Sequence, residues 1–84
     1  MTDQELYVAI SPMAEQVLQI ERFDNTVTMM STPSWDSMTH IQLLSGVERQ
    51  FGIEIDGDDA FRLTSAEKLV KYLQSKLNQQ EQVG

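Results

Sequence analysis

The fold of this chain is decided by the stretch Trp35–Gly52, which reads WDSMTHIQLLSGVERQFG. Its apolar residues recur at intervals of three and four instead of alternating, which is typical of an amphipathic helix. We predict a helix from about Ser37 to Phe51, with Asp36 as its N-cap and Gly52 at a left-handed C-terminal position. The predicted apolar stripe consists of Met38, Ile41, Leu43, Leu44, Val47 and Phe51, and the opposite face of Thr39, Gln42, Gly46, Arg49 and Gln50.

An earlier region of the chain shows the same helical spacing. Its apolar residues are Leu6, Ile10, Met13, Val17 and Ile20. Pro12 interrupts this pattern, because proline lacks the backbone donor that a helix interior uses. The helix is therefore either kinked at Pro12 or begins at Ser11-Pro12, where proline suits the first turn. We favour the second alternative.

The remaining segments predict one long loop, one short helix and one long helix. The connection from about Glu21 to Trp35 is unusually long for a small domain, and its apolar side chains should anchor it. These are Phe23, Val27, Met29 and Met30. After the extended link Ile53–Ile55, residues 56–61 are expected to form a short helix. Thr64 and Glu67 fit a capping box for the last helix, whose predicted buried stripe is Ala66, Leu69, Val70, Leu73 and Leu77.

These elements predict an all-α fold: a small four-helix bundle with three main helices, a short third helix and a long loop between helices 1 and 2. With 84 residues, the chain is expected to form a single domain over residues 1–78. Residues 79–84 are expected to be a disordered C-terminal tail.

The composition narrows the classes of function. Six basic and thirteen acidic residues leave a net charge of −7, which disfavours nucleic-acid binding and favours partners with basic patches. The chain has no cysteine, so disulfides and cysteine catalysis are excluded and a reducing cytoplasm is expected. No apolar run is long enough to insert into a membrane. The acidic segment Met1–Glu5 lacks the layout of a signal peptide.

Neither catalysis nor metal binding has a convincing set of residues. Ser37 and His40 are three residues apart, but a nucleophilic serine also needs an oriented base, an oxyanion hole and a pocket. Asp56, Asp58 and Glu67 stand at positions 1, 3 and 12 of a possible calcium loop. The fifth position is Ala60 and the turn glycine is missing, so we expect no metal site and no enzymatic activity.

The motif Asp36-Ser37-Met38 is informative because of the helix behind it. The stretch Trp35–Leu44, followed by Val47–Ile53 with its Phe51-Gly52 pair, closely resembles the acyl carrier protein family. In that family an Asp-Ser-Leu/Met motif opens the second helix. The segments Phe61–Ser65 and Leu69–Leu73 also resemble the family's fourth helix and the entry to it. The resemblance covers about residues 8–77 and is strong from Trp35 onward.

The resemblance implies that Ser37 accepts 4′-phosphopantetheine from coenzyme A, transferred by a phosphopantetheinyl transferase. Cargo would then be carried as a thioester on this arm. Asp36 is implied to help position the transferase or its metal-bound cofactor as well as to cap the helix. A phosphodiester at the first helical residue is expected to meet unpaired backbone N–H groups and the positive end of the helix dipole. Met38 and Ile41 resemble part of the wall that shelters cargo between the second and third helices.

The expected partner surface departs from the family's pattern. The family usually has acidic residues along the second helix, whereas the matching positions here are Gln42, Ser45, Glu48 and Arg49. Acidic residues are found instead around the third helix. The complete predicted surface is Met38, Gln42, Ser45, Glu48, Arg49, Asp56, Asp58 and Asp59. This departure favours a specialised carrier with few dedicated partners over an interchangeable role in bulk fatty acid synthesis.

Three alternatives remain at the level of sequence. The chain is a monomeric cytoplasmic carrier of acyl groups in fatty acid, polyketide or other specialised biosynthesis, or it is a D-alanyl or other aminoacyl carrier. The implied partners are an acyl- or aminoacyl-activating ligase and a downstream transferase or synthase. The third alternative is an unmodified helical protein-interaction module that keeps the fold without the chemistry.

Overall fold

A computed structural model describes the backbone of residues 1–83 and the side chains of residues 1–79. Its helices are α1 (Asp3–Leu18), α2 (Ser37–Phe51), α3 (Gly57–Ala60) and α4 (Ala66–Val83). The predicted all-α bundle is therefore confirmed, including the bounds of α2. Within the described residues, no helix has the length and apolar character needed to cross a membrane.

The core lies where α1 packs against α2 and α4. Each long helix contributes side chains that recur at three- or four-residue intervals and are almost fully buried. They are Leu6, Ile10, Ala14 and Leu18 of α1, Leu43, Leu44 and Val47 of α2, and Ala66, Leu69, Val70 and Leu73 of α4. Phe23, Trp35, Ile53 and Leu63 close the core from the connections, whereas α3 contributes no buried residue.

Helix α1 continues through Pro12, so the favoured start at Ser11-Pro12 is wrong. The helix begins earlier because Thr2 and Glu5 form a capping box that satisfies its first backbone donors. Proline cannot donate to the carbonyl of Val8, but Val8 is 64% exposed, so water can satisfy that carbonyl. The next carbonyl, of Ala9, accepts a hydrogen bond from the Gln50 side chain at 2.6 Å.

Helices α1 and α2 approach closely at Gly46. A Cβ atom at this position would lie 2.7 Å from Sδ of Met13, well inside normal van der Waals contact. Gly46 was expected on the face opposite the apolar stripe, and that expectation is wrong. Its missing side chain makes room for Met13 at the helix–helix contact.

Two of the predicted apolar positions are not buried in α2. Met38 is 70% exposed and Ile41 is 66% exposed, so the buried part of α2 begins only at Leu43. In the same way, Met30 is 97% exposed and does not anchor the long loop. Phe23 is buried, and Val27 and Met29 pack against the core as predicted.

Backbone contacts attach the long loop to the start of α4. The amide of Met29 donates to the carbonyl of Thr64 at 2.8 Å, and the amide of Ala66 donates to the carbonyl of Val27 at 2.9 Å. Since α4 begins at Ala66, its cap is Ser65, whose hydroxyl accepts the Lys68 amide at 3.1 Å. The predicted Thr64–Glu67 capping box is therefore wrong by one residue.

Helix α4 is assigned to Val83, beyond the domain boundary predicted at residue 78. Gly84 and the side chains after residue 79 lie outside the described residues. The predicted disorder of residues 79–84 falls largely on these positions and stays a prediction.

Candidate functional site

The start of α2 is held by a reciprocal cap. Oδ1 of Asp36 accepts the backbone amides of Met38 and Thr39, each at 3.0 Å. In return, the Thr39 hydroxyl accepts the Asp36 amide at 2.9 Å and donates to the carbonyl of Ser34 at 2.7 Å. These contacts determine where the helix begins, and they place Ser37 at its first position.

The Ser37 side chain is presented to solvent. The residue is exposed, and its hydroxyl makes no hydrogen bond to any other described residue. Ordinary helix-cap serines use their oxygen to satisfy backbone donors, but Asp36 already does this at α2. The Ser37 hydroxyl is consequently not needed for the capping of α2.

The electrostatics of this helix start differ from what the sequence predicts. The amide of Thr39, together with further hydrogen bonds, lowers the pKa of Asp36, although partial desolvation acts in the opposite direction. The amides of Met38 and Thr39 are engaged by this carboxylate, so they are not the unpaired donors expected for a phosphodiester. The first turn of α2 itself contains no acidic side chain, so it is the Asp36 carboxylate that places a negative charge at the positive end of the helix dipole.

His40 connects two other segments through hydrogen bonds that the sequence did not predict. Its Nδ1 accepts a hydrogen bond from Nε1 of Trp35 at 2.9 Å, and its Nε2 lies 2.8 Å from the carbonyl oxygen of Ala60. We call these two hydrogen bonds the His40 bridge. Trp35 is buried, and its ring lies 6.4 Å from the ring of Phe23 between centroids. Both ring nitrogens are occupied, so His40 is not placed as a base for Ser37.

Three large apolar side chains are exposed on or after the helices that flank the site. Met38 follows Ser37 directly, Ile41 lies one turn further along α2, and Phe61 follows α3 and is 83% exposed. Singly exposed apolar side chains are common on protein surfaces, so their exposure assigns these three residues no role by itself, but it does exclude them from the core.

The predicted partner residues are only partly available. Gln42, Ser45 and Arg49 are exposed on α2, and Asp56 and Asp58 are exposed at α3. By contrast, the half-buried Glu48 accepts the backbone amide of Ile55 at 2.8 Å, and Asp59 accepts the hydroxyl of Tyr72 at 3.0 Å. Glu48 therefore holds the link between α2 and α3 in place, and Asp59 holds α3.

Comparison with known proteins agrees with this geometry. Residues 35–73, which include Ser37, match the family described as the phosphopantetheine attachment site. The chain is 30% identical over 80 residues to an acyl carrier protein of Lactobacillus johnsonii, covering 93% of this chain and 100% of the relative. It is also 29% identical over 59 residues to an acyl carrier protein of Buchnera aphidicola, covering 70% of this chain and 75% of that relative. The chain therefore belongs to the acyl carrier protein family, whose prosthetic group is a covalently attached 4′-phosphopantetheine.

Proposed function

We propose that Ser37 is the attachment point of 4′-phosphopantetheine and that the chain is a carrier, not an enzyme. The observation that supports this most directly is the exposed, unbonded hydroxyl of Ser37 at the first position of α2. In the transfer, the Ser37 oxygen displaces the nucleotide half of coenzyme A at phosphorus. One phosphoester bond forms, one phosphoanhydride bond breaks, and the serine proton passes to a base of the transferase.

The residues of this chain present the arm and leave its chemistry to partners. The arm supplies a thiol that holds an acyl or aminoacyl group as a thioester, which a cysteine-free chain cannot do with its own side chains. Because Ser37 stands on a capped helix, the arm is anchored at one point and its cargo is kept at a high local concentration near a docked partner. With both nitrogens of His40 engaged, no base on α2 is directed at Ser37.

Asp36 has a second role in this proposal. Its Oδ1 makes the capping bonds, whereas its Oδ2 makes no hydrogen bond to any described residue. Hydrogen bonding keeps the pKa of Asp36 low, so the free oxygen belongs to an ionised carboxylate. That oxygen is suited to contact a basic side chain of the transferase or the divalent cation that accompanies coenzyme A.

We also infer that the carrier serves a specialised pathway with few partners. The exposed α2 residues that match the family's acidic face are Gln42, Ser45 and Arg49, none of which is negative. Glu48, the one carboxylate among these positions, is engaged by Ile55. A partner that recognises α2 would therefore meet neutral or positive side chains, together with the exposed Met38 and Ile41. The free carboxylates of Asp56 and Asp58 would be contacted at α3.

Within this proposal, the carrier is a cytoplasmic monomer that meets a phosphopantetheinyl transferase, an acyl- or aminoacyl-activating ligase and a downstream transferase or synthase. The cysteine-free composition agrees with a reducing compartment, and the net charge of −7 favours partners with basic docking patches. The specialised α2 surface is compatible with either acyl or aminoacyl cargo.

Attachment is tested by incubating the apo protein with coenzyme A and a broad-specificity phosphopantetheinyl transferase, followed by intact-mass analysis. We expect one adduct on the wild type, none on Ser37→Ala, and full modification of Ser45→Ala, which removes another exposed serine of the same helix. Absence of the adduct from the wild type would indicate an unmodified interaction module. An adduct that persists in Ser37→Ala would place the arm on a different residue.

Cargo is tested on the holo protein. The holo protein is offered to a malonyl transferase of bulk fatty acid synthesis, to fatty-acid-activating ligases and to amino-acid-activating ligases. Thioester formation on the protein is measured by mass. A specialised carrier should be loaded by the malonyl transferase far more slowly than a typical acidic acyl carrier protein used as the reference. Equal rates for the two carriers would contradict the specialised role, and selective loading with an amino acid would identify an aminoacyl carrier.

A further inference from the structure

The His40 bridge requires one protonation state of the imidazole ring. The indole N–H of Trp35 can only donate, so Nδ1 of His40 must accept and carries no proton. The carbonyl of Ala60 can only accept, so Nε2 of His40 must be the donor. The arrangement therefore fits the neutral ring with its proton on Nε2, and neither other form of the ring satisfies both partners.

This ring joins three segments beside the attachment site. Trp35 ends the long loop and is buried, His40 lies one turn after Ser37 on α2, and Ala60 is the last residue of α3. Two side-chain hydrogen bonds to described residues hold α3: the one from His40, and the one from Tyr72 to Asp59. Helix α3 has no fully buried side chain, and Ala60 alone of its residues packs against the core as a partly buried apolar side chain, so these two hydrogen bonds are important for its position.

We propose that His40 is a positioning residue that holds α3 against the start of α2 only while its ring is neutral. A second proton would bind at Nδ1, where it would face the indole N–H of Trp35. Two donors would then point at each other, and the ring and the indole would have to separate. Movement of the ring also takes the Nε2–H donor away from the carbonyl of Ala60. Helix α3 then loses one of its two side-chain hydrogen bonds, and the surface beside Ser37 changes.

The acidic groups on the segments that His40 joins are engaged elsewhere or exposed to solvent, so none of them is placed to replace the partner at Nδ1. Asp36 at the start of α2 is engaged by the helix amides, Asp24 in the loop accepts from Thr26, and Asp59 accepts from Tyr72. Lys76 of α4 lies over the ring of Tyr72. The remaining carboxylates at α3, those of Asp56 and Asp58, are exposed to solvent. The position next to Nδ1 is taken by the indole N–H of Trp35.

The chain allows this proposal to be tested without labels at other sites, because it contains one tryptophan and one histidine. In the apo protein, the ¹⁵N shifts of the imidazole report the tautomer, and hydrogen exchange of the Trp35 indole reports its bond. The measurement does not need the arm, so its outcome is independent of whether Ser37 is modified. At neutral pH we expect the Nε2–H tautomer and a protected indole N–H.

When the pH is lowered until the imidazole ¹⁵N shifts report the doubly protonated ring, the indole N–H should lose about fivefold in protection, which corresponds to the loss of one ordinary hydrogen bond. The backbone amides of α3 should shift with the same midpoint. His40→Gln is the matched variant, since an amide can accept from Trp35 and donate to Ala60 without titrating. It should keep the neutral-pH positions of α3 and lose the pH response, whereas His40→Ala should resemble the acidified wild type.

Three outcomes would overturn the proposal. One is an Nδ1–H tautomer in the wild type at neutral pH, and another is protonation of His40 that leaves the α3 amides unchanged. The third is an unchanged pH response in His40→Gln, which would assign the response to a carboxylate. The first two are measured on the wild-type protein and remain decisive if His40→Ala does not fold.

Discussion

The contact between Gly46 and Met13 permits a quantitative prediction about the packing of α1 on α2. Glycine inside a helix is less favourable than alanine by about 1 kcal/mol, so Gly46→Ala would stabilise α2 if nothing opposed it. The added Cβ, however, would lie 2.7 Å from Sδ, 3.0 Å from Cε and 3.2 Å from Cγ of Met13. Carbon atoms in comfortable contact are about 3.5–4.0 Å apart, so the Met13 side chain has to move.

The cost of this movement decides the sign of the effect. Overpacking typically costs about 1–3 kcal/mol, and the side chain that has to move here is the half-buried, flexible Met13. We therefore expect Gly46→Ala to change the free energy of unfolding of the wild type by between about 0 and −2 kcal/mol. In the Met13→Ala background the clash is absent, and the same substitution should stabilise the protein by about 1 kcal/mol.

Urea unfolding followed by Trp35 fluorescence and by circular dichroism measures all four proteins of this double-mutant cycle. The expected coupling energy is about 1–3 kcal/mol. Ser45→Ala, at an exposed position next to Gly46, is the control, and its effect should be the same in both backgrounds. If Gly46→Ala has equal effects with and without Met13, the close approach of the two helices is not what requires glycine.

Two further predictions concern carboxylates near the site. Glu48→Ala leaves the amide of the half-buried Ile55 without its partner and should lower the free energy of unfolding by about 1–3 kcal/mol, whereas Glu48→Gln keeps an acceptor and should lose much less. Similar losses in the two variants, measured by urea unfolding, would mean that the charge and not the hydrogen bond matters. For Asp36, hydrogen bonding lowers the pKa below its ordinary value of 3.8, so the stabilising effect of the carboxylate is present above that value and is lost as the pH falls through the lower, folded-state pKa. The stability difference between wild type and Asp36→Asn should accordingly be largest at neutral pH and vanish at strongly acid pH. The control Asp58→Asn removes no capping bond and should differ little from wild type at either pH. A difference between wild type and Asp36→Asn that persists in acid would contradict this account.

Much of the candidate site was predictable from the sequence because it depends on local rules. Asp36 as the cap, Ser37 as the first helical residue and Gly52 in the left-handed conformation follow from the preferences of those residue types at helix ends. The resemblance carried by Trp35–Gly52 identified the family that the comparisons confirm. None of these inferences requires knowledge of which helix packs on which.

The inferences that failed concern helix caps that were misread locally and contacts between segments distant in the chain. The start of α1 was misplaced because the penalty of Pro12 was weighed without the Thr2–Glu5 capping box and without the side chain of Gln50. The cap of α4 was misplaced by one residue because Thr64 and Ser65 are both good capping residues, and it is Ser65 that accepts the Lys68 amide. Periodicity likewise could not separate the exposed Met38 from the buried Leu44.

By itself, the sequence determined the order of the helices, the bounds of α2, the capped serine at its start and the family to which the chain belongs, because each depends on residues within a few positions of one another. Tertiary structure alone decided that Gly46 admits Met13, that Glu48 is engaged by a backbone amide, and that the ring of His40 joins the loop to α3. The physical reason is the same in all three cases. A close approach or a hydrogen bond depends on distances of a few tenths of an ångström between segments, and no pattern of residue types along one chain encodes such distances directly.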